Sequence, residues 1–349
     1  MRAALLREFN KPLSVENVTV PAVGDQDVLV RVRAAGICQS DVRMWHGHEA
    51  DKLPIIMGHE CSGIVERVGS NAKGLKKGDR VAIDYRITCG NCYYCSSGRS
   101  NLCDFARDIG ANVNGGYAEY MSVPYRQLYH LPDEIGFGEG AIIGCAVATA
   151  YHAARRVAEV KAADDVAIIG VGGVGYHILK FVKAMAAKRI IAVDLDDRKL
   201  ARAARLGAET INPGSEAADK LIRERTNGEG VEVAFEAIGN PRTVEATIRS
   251  VSRGGRAIQV GICSDKISIV PWDDLMYDPR IRNSRKEMQL RVSMDHLRTD
   301  IMEIIEMVSQ KRLDLSDSVT HRVSLDEVNR GIEMMDKKIG DPVRIVIQP

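Results

Sequence analysis

This sequence predicts an α/β protein in two domains. Residues 1–150 together with 290–349 read as a β-rich domain, and residues 151–289 as a doubly wound parallel sheet. Three observations carry that prediction. Residues 1 to about 145 read as short strands punctuated by glycines, whereas from Val166 strand and helix patterns alternate. The chain then closes on two helical patterns and an apolar strand, Val343-Arg-Ile-Val-Ile, which returns to a first domain that lacks partners for its own faces. At 349 residues the chain is also long for a single core.

The elements follow in order. Val28-Leu-Val-Arg-Val-Arg-Ala alternates as a half-buried strand does, and Ile64-Val-Glu-Arg-Val and Arg80-Val-Ala-Ile repeat the pattern between glycines. Around Ala141-Ile-Ile-Gly-Cys-Ala-Val-Ala-Thr-Ala the texture becomes that of a buried helix. Strands are predicted at Val166–Gly170, Arg189–Asp194, Val231–Glu236 and Arg256–Gly261, with helices at Val174–Ala187, Arg198–Leu206 and Thr243–Val251 between them. Amphipathic patterns at Leu297–Met307 and Leu325–Lys337 precede the last strand. The stretch Trp272–Lys286 fits neither period and reads as a polar loop.

Composition excludes several classes of function. Lysine plus arginine (48) nearly cancel aspartate plus glutamate (47), so no field favours nucleic acid or an anionic membrane. The N-terminal Met1-Arg-Ala-Ala-Leu-Leu-Arg has no signal-peptide pattern, and no apolar run is long enough to span a bilayer. Eight cysteines, half of them in one compact cluster, suit a reducing cytoplasm.

That cluster is Cys89-Gly-Asn-Cys92-Tyr-Tyr-Cys95, closed by Cys103. Four thiolates this close can surround one tetrahedral ion, and zinc is the ion they suit. Iron–sulfur ligation is the competing metal reading, but the bacterial ferredoxin run places its fourth cysteine three residues on, before proline. Here Cys103 is followed by Asp104. Reduced thiols remain a third reading. Four protein ligands would leave no position for a substrate, so the cluster is expected to brace a lobe.

Gly170-Val-Gly172-Gly173-Val174-Gly175 follows an apolar strand directly and opens a helix. In that context the glycines permit a tight turn, close approach of a pyrophosphate and close helix–strand packing. The helix N-terminus would favour the phosphates. Asp194, at the end of the next strand, is placed to accept the adenosine ribose hydroxyls and to repel a 2′-phosphate, which selects NAD over NADP. Lys199 could reach the same ribose, while Arg198 is a cation that could soften the selection. Cys38, His59 and Cys145 are linked by no local spacing; on the residues alone they read as buried thiols and a core histidine, or as parts of a second metal site.

The chain resembles the zinc-dependent alcohol dehydrogenases of the medium-chain dehydrogenase/reductase family from end to end. The resemblance rests on Gly58-His59-Glu60-x-x-Gly63-x-x-x-x-Val68-Gly69, the four-cysteine lobe, Gly115-Gly-Tyr-Ala-Glu-Tyr, the Gly170 fingerprint and Asp194. It implies a GroES-like catalytic domain beside a Rossmann domain, with NAD and a catalytic zinc in the cleft. Two zinc ions per chain are implied. Cys38, His59 and Cys145 match the catalytic ligands, with a fourth position left open, and Glu60 matches a carboxylate that can enter coordination. Arg344 matches the usual partner of Glu60 and stands among the cofactor contacts. Asp41 matches the acid that orients the ligand histidine. Ser40 matches the hydroxyl that bonds the substrate oxygen, Thr149 a contact at the nicotinamide end near Val174, and Tyr85 an aromatic wall of the substrate pocket. Cys61 and Cys263 match no ligand and read as buried small residues.

One position departs from the family. A relay histidine is usual where this chain has Arg43, and arginine stays protonated. Protons would then leave through the cofactor ribose, His46 or His48, while Arg43 could bind the cofactor pyrophosphate, which Gln39 lacks the charge to do, or an anionic group on the substrate. Arg280, Arg282, Arg285 and Lys286 form a basic set that reads as a solvated loop or as a phosphate-binding one. The resemblance implies oxidation of a primary or secondary alcohol to its carbonyl partner, in a homotetramer or homodimer. A polyol or amino-alcohol dehydrogenase, a reductase of enoyl thioesters or ketones, and a non-catalytic dinucleotide-binding protein are the alternatives.

Overall fold

A computed structural model describes residues 1–48, 52–267, 276–277 and 285–349. It divides into two compact units, Met1–Ala148 with His296–Pro349, and Thr149–Asp295.

The first unit is β-rich. Its strands are β1 (Arg2–Leu6), β2 (Ser14–Asn17), β3 (Asp27–Ile37), β4 (Ile55–Ile56), β5 (Glu60–Val68), β6 (Arg80–Ile83), β7 (Arg86–Ile87), β8 (Arg107–Asp108), β9 (Tyr120–Pro124) and β10 (Leu128–His130). The long β3 is its spine. It alternates buried and exposed residues over Val30–Arg33, then runs fully buried to Ile37. β3 pairs antiparallel with β5 on one side and with the C-terminal strand Ile345–Gln348 on the other, where Ile345 faces Ile37. An apolar core cluster takes Val30, Val32, Ile37 and Val65 from these strands and Val328, Ile332 and Met335 from the C-terminal helix Val328–Asp336. Helix α1 (Gln39–Trp45) starts directly behind β3, one residue after its end. Aliphatic alternation made β3 and β5 legible; the two-residue strands β4, β7 and β8 are too short to show a period.

The second unit holds β11 (Asp165–Ile169), β12 (Arg189–Val193), β13 (Glu209–Ile211), β14 (Val231–Glu236), β15 (Val251–Gln259) and β16 (Gln289–Val292). All pair in parallel, in the order β13-β12-β11-β14-β15-β16. This is the α/β doubly wound sheet the alternating pattern predicts. β11 is buried at every position, as a central parallel strand must be. The order reverses beside β11, so its C-terminal end opens at the switch point of the sheet.

Several expectations need correction. The parallel sheet extends past residue 289, because β16 pairs with β15 through Val292, and the chain leaves this unit at Asp295. β13 and the helix Ala218–Arg225 had no counterpart in the sequence reading; β13 spans three residues, and the helix is polar on most faces. The buried helix around Ala141 is built from Phe137–Ile142 and Ala148–His152 with wider, π-type turns over Ile143–Val147 and Ala153–Val157. Cys263 is half-exposed rather than buried. Of the predicted loop Trp272–Lys286, most residues, including Arg280 and Arg282, lie outside the described ones.

Candidate functional site

Three elements bring one cluster together in the first unit. Cys38 follows β3 and caps α1, His59 precedes β5 and Glu60 opens it, and Cys145 lies in the π-type turn. Such turns inside helices occur frequently at functional sites. Cys38, His59, Glu60 and Cys145 each offer one ligand atom within 4.8 Å of the others. All four are buried or nearly so.

Asp41 organises this cluster from behind. It is fully buried. Its Oδ2 accepts the backbone N–H of Cys38 at 2.9 Å and the hydroxyl of Tyr117 at 3.0 Å. Its Oδ1 faces His59 Nδ1 at 3.0 Å. An ionised carboxylate only accepts, so His59 Nδ1 donates and its Nε2 is left for a ligand. Ser40 Oγ lies 3.3 Å from that Nε2. Sequence reasoning missed the part played by Tyr117, whose only signal was its place in a matched motif.

Charge in the cluster is strongly redistributed. Burial opposes protonation of His59, but Asp41 beside it raises its pKa well above the usual histidine range. The hydrogen bond from Cys145 holds the Cys38 thiol well below its ordinary range, and the same bond holds Cys145 well above. Burial pushes Glu60 up to about 7 against the pull of Arg344. Arg344 is buried too, with Nε 3.4 Å from Glu60 Oε1 and its Nη1 donating to the Val343 carbonyl at 3.1 Å.

The donor set fits a zinc ion. Two sulfurs and one imidazole are borderline-soft ligands of the kind zinc takes, and catalytic sites hold it by three protein ligands. Both oxygens of Glu60 are buried without a hydrogen-bond donor among the described residues, and Arg344 answers their charge only as an ion pair at 3.4 Å. The carboxylate rests against Gly36, where an added Cβ would come within 2.3 Å of Oε2.

The second cluster is more exposed. Cys89, Cys92, Cys95 and Cys103 bring their sulfurs within 4.8 Å of one another. Sulfur separations are 3.5 Å for Cys89–Cys103 and 3.9 Å for both Cys89–Cys95 and Cys92–Cys103. Tetrahedral zinc with bonds of about 2.3 Å sets sulfur pairs about 3.8 Å apart, whereas a disulfide needs about 2 Å. The N–H groups of Cys92 and Phe105 point at sulfurs, at 3.3 and 3.4 Å. The N–H groups of Cys95 and Asp104 lower Cys92 to about 6, while burial pushes Cys95 up to about 12. A bound divalent cation would displace the thiol protons.

In the second unit Gly170 takes φ +92°, and helix α5 of that unit (Gly173–Ala184) starts two residues after Val171, capped by Gly172. A Cβ at Gly175 would lie 1.8 Å from the Gly170 carbonyl, so the fingerprint packs as its spacing predicts. Asp194 follows β12 and reaches back, its Oδ2 accepting the N–H of Val171 at 3.0 Å. Lys199 Nζ is 3.5 Å from Asp194 Oδ1. Arg198 is engaged elsewhere: its Nε and Nη2 grip Asp196 at 3.0 and 2.7 Å. Val174 lies in the first turn of α5, and Thr149 in the helix Ala148–His152.

The remaining candidates are scattered. Tyr85 stands edge-on to His59, with ring centroids 5.2 Å apart. Arg43 is half-buried in α1. His46 is tied to Asn10 at 2.8 Å and Asp336 at 3.2 Å, and His48 is exposed. Lys286 is buried, which removes it from a solvated basic loop.

Comparison with known proteins agrees with this geometry. The profile described as "Alcohol dehydrogenase GroES-like domain" matches residues 24–133, and "Zinc-binding dehydrogenase" matches 173–288. An alcohol dehydrogenase of Geobacillus stearothermophilus is 37% identical over 297 residues, covering 83% of this chain and 87% of that protein. An NAD-dependent alcohol dehydrogenase of Sulfolobus acidocaldarius is 32% identical, covering 97% of this chain and 96% of that protein. Among solved structures, an alcohol dehydrogenase from Thermus sp. ATN1 superposes with a TM-score of 0.90 at 30% identity, covering 100% of this chain and 99% of that one.

Proposed function

Since the chain belongs to the zinc-type alcohol dehydrogenases of the medium-chain dehydrogenase/reductase family, we propose a division of labour among its residues for the oxidoreduction of alcohols with NAD. Cys38, His59 and Cys145 hold the reactive zinc, and Glu60, backed by Arg344, enters coordination as ligands exchange. Cys89, Cys92, Cys95 and Cys103 hold the second zinc as a brace. The single observation that carries this reading is the convergence of two thiols, an imidazole and a buried carboxylate within 4.8 Å.

Bound zinc would supply a Lewis acid and NAD a hydride acceptor, so that an alcohol is oxidised without a strong base. Asp41 keeps the His59 proton on Nδ1 and so keeps Nε2 aimed at the ion. Ser40 Oγ accepts the hydrogen bond of a substrate hydroxyl and passes its proton outward. Tyr85 walls the substrate pocket. Gly170, Gly172, Gly173, Val174 and Gly175 cradle the pyrophosphate at the start of α5, while Asp194 and Lys199 hold the adenosine ribose and Thr149 the nicotinamide end. The grip of Asp196 on Arg198 supports selection of NAD, because it keeps that cation from a 2′-phosphate. Arg43 supplies a fixed positive charge for the cofactor pyrophosphate. For Arg344 the geometry favours partnership with Glu60 over a cofactor contact.

A homotetramer or homodimer in the cytoplasm completes the reading. Leu290, Val292 and Met294 expose 50%, 67% and 50% of their surface on or beside β16, which ends the parallel sheet among the described residues. None of the eight cysteines is paired in a disulfide. No helix among the described residues is long and apolar enough to cross a membrane.

The test is a panel of primary and secondary alcohols, polyols, ketones and enoyl thioesters with NAD and NADP. Turnover of alcohols with NAD is expected. Turnover confined to enoyl thioesters with NADP would contradict the reading.

A further inference from the structure

Behind Tyr85 stands a second buried histidine–carboxylate pair that the reaction described above does not use. His296 Nε2 lies 3.2 Å from Asp84 Oδ1, and the two side chains expose 1% and 4% of their surface. The same Oδ1 accepts the N–H of Arg86 at 3.0 Å. Asp84 is further pinned through its backbone, which exchanges hydrogen bonds with Gln127: Asp84 N–H donates to the Gln127 carbonyl at 2.8 Å, and Gln127 Nε2 lies 3.4 Å from the Asp84 carbonyl. Gln127 Nε2 also donates to the Arg86 carbonyl at 2.9 Å, so the backbone is gripped on both sides of Tyr85.

The Tyr85 ring contacts two histidine rings. It meets His59 edge-on at a centroid distance of 5.2 Å and 61° between planes. It meets His296 in a tilted contact at 5.7 Å and 56°. His296 is also the first residue of the segment that returns to this unit after the parallel sheet. A histidine so fully buried is an expensive way to fill space, since a leucine would pack there with no polar atom to satisfy. What histidine adds is a directed hydrogen bond that fixes its own ring plane, and with it the ring it leans on.

We propose that His296, locked by Asp84, is a positioning residue that sets the ring of Tyr85 against His59 and thereby the size of alcohol the site admits. The inference rests on Tyr85 lining the substrate pocket. Small differences in the wall of an apolar pocket discriminate substrates by about 10–200-fold, and an aromatic ring packed against a locked histidine is such a wall.

The experiment compares His296→Leu, His296→Gln and Tyr85→Ala with the wild-type holoenzyme, on a series of straight-chain, branched and aromatic alcohols with NAD. His296→Leu should change the ratio of kcat/KM between small and bulky alcohols by about tenfold. The KM for NAD and the zinc content should stay at wild-type values. His296→Gln, which still donates to Asp84, should restore the wild-type ratio. Should His296→Leu prove unstable, His296→Gln against His296→Met makes the same comparison. A selectivity ratio unmoved in His296→Leu, while Tyr85→Ala shifts it, would overturn the positioning role and leave the pocket intact. An unmoved ratio in Tyr85→Ala would overturn both. A fall in activity common to all alcohols, with lost thermal stability and no rescue by glutamine, would mark the pair as packing alone and overturn the proposal.

Discussion

At the scale of single residues, the proposed preference for NAD rests on Asp194. Its carboxylate already bonds the N–H of Val171 and so sits at the fingerprint. Asp194→Ser should remove both the acceptor for the ribose hydroxyls and the charge that repels a 2′-phosphate. The expected swing in relative kcat/KM from NAD toward NADP is about 2–4 kcal/mol, the worth of charged hydrogen bonds, measured with both cofactors on one alcohol. Arg43→Ala should raise the KM for NAD while leaving the pH profile of kcat in place, because arginine holds its proton throughout. A rise in KM only for anionic substrates would move its role from cofactor to substrate. Residues of this kind differ in how far the sequence discloses them. Asp194 is legible because fingerprint and acid share one βαβ unit with a fixed spacing. Cys38, His59 and Cys145 come from a strand end, a strand start and a helix, so no spacing joins them; only the family resemblance singled them out. Asp84, Tyr117 and His296 were not legible, since each acquires its meaning from a partner distant in sequence.

At the scale of elements, the parallel sheet was the easiest part to read. Strands buried on both faces appear as runs such as Val166–Ile169, and helices between them keep their period. What escaped was short or irregular: β13, the polar helix Ala218–Arg225, and the π-type turns that carry Cys145. The helix after β12, Asp197–Arg205, shows how local chemistry secures an element. Its cap Asp196 accepts the N–H of Arg198, and the Arg198 side chain lowers the Asp196 pKa from 3.8 to about 2. A carboxylate whose folded pKa is depressed stabilises the fold above its unfolded pKa, and that contribution is lost as pH falls through the folded one. Asp196→Ala should therefore lower stability by about 1 kcal/mol near neutrality, mostly through the lost cap, since the ion pair itself is largely solvated. The gap between wild type and variant should narrow below pH 3.8 and close toward about 2. Denaturant melts of both proteins across that range check it. A gap that does not change with pH would show that the charge of Asp196 contributes nothing.

At the scale of the whole molecule, the proposed function places metal chemistry in one unit and dinucleotide binding in the other. Composition and alternation disclosed both units; the exit from the parallel sheet was misjudged by a few residues because β16 is a short edge strand with exposed apolar side chains. That exposure is answered if copies of the chain associate there. Leu290→Asp with Val292→Asp should reduce the assembly measured by sedimentation, whereas an unchanged mass would remove β16 from the interface. The central claim is that the cluster of Cys38, His59 and Cys145 holds a zinc ion that turnover needs and the fold does not. Zinc content of the purified protein, read beside alcohol-dependent reduction of NAD, tests it most directly. Two equivalents per chain are expected in the wild type, one for each cluster. In Cys38→Ser the reactive ion should be lost and turnover abolished, with one equivalent and the melting temperature retained. Cys95→Ala should instead lose the braced ion and thermal stability. Cys38→Ser that keeps both its zinc and its activity would contradict the account.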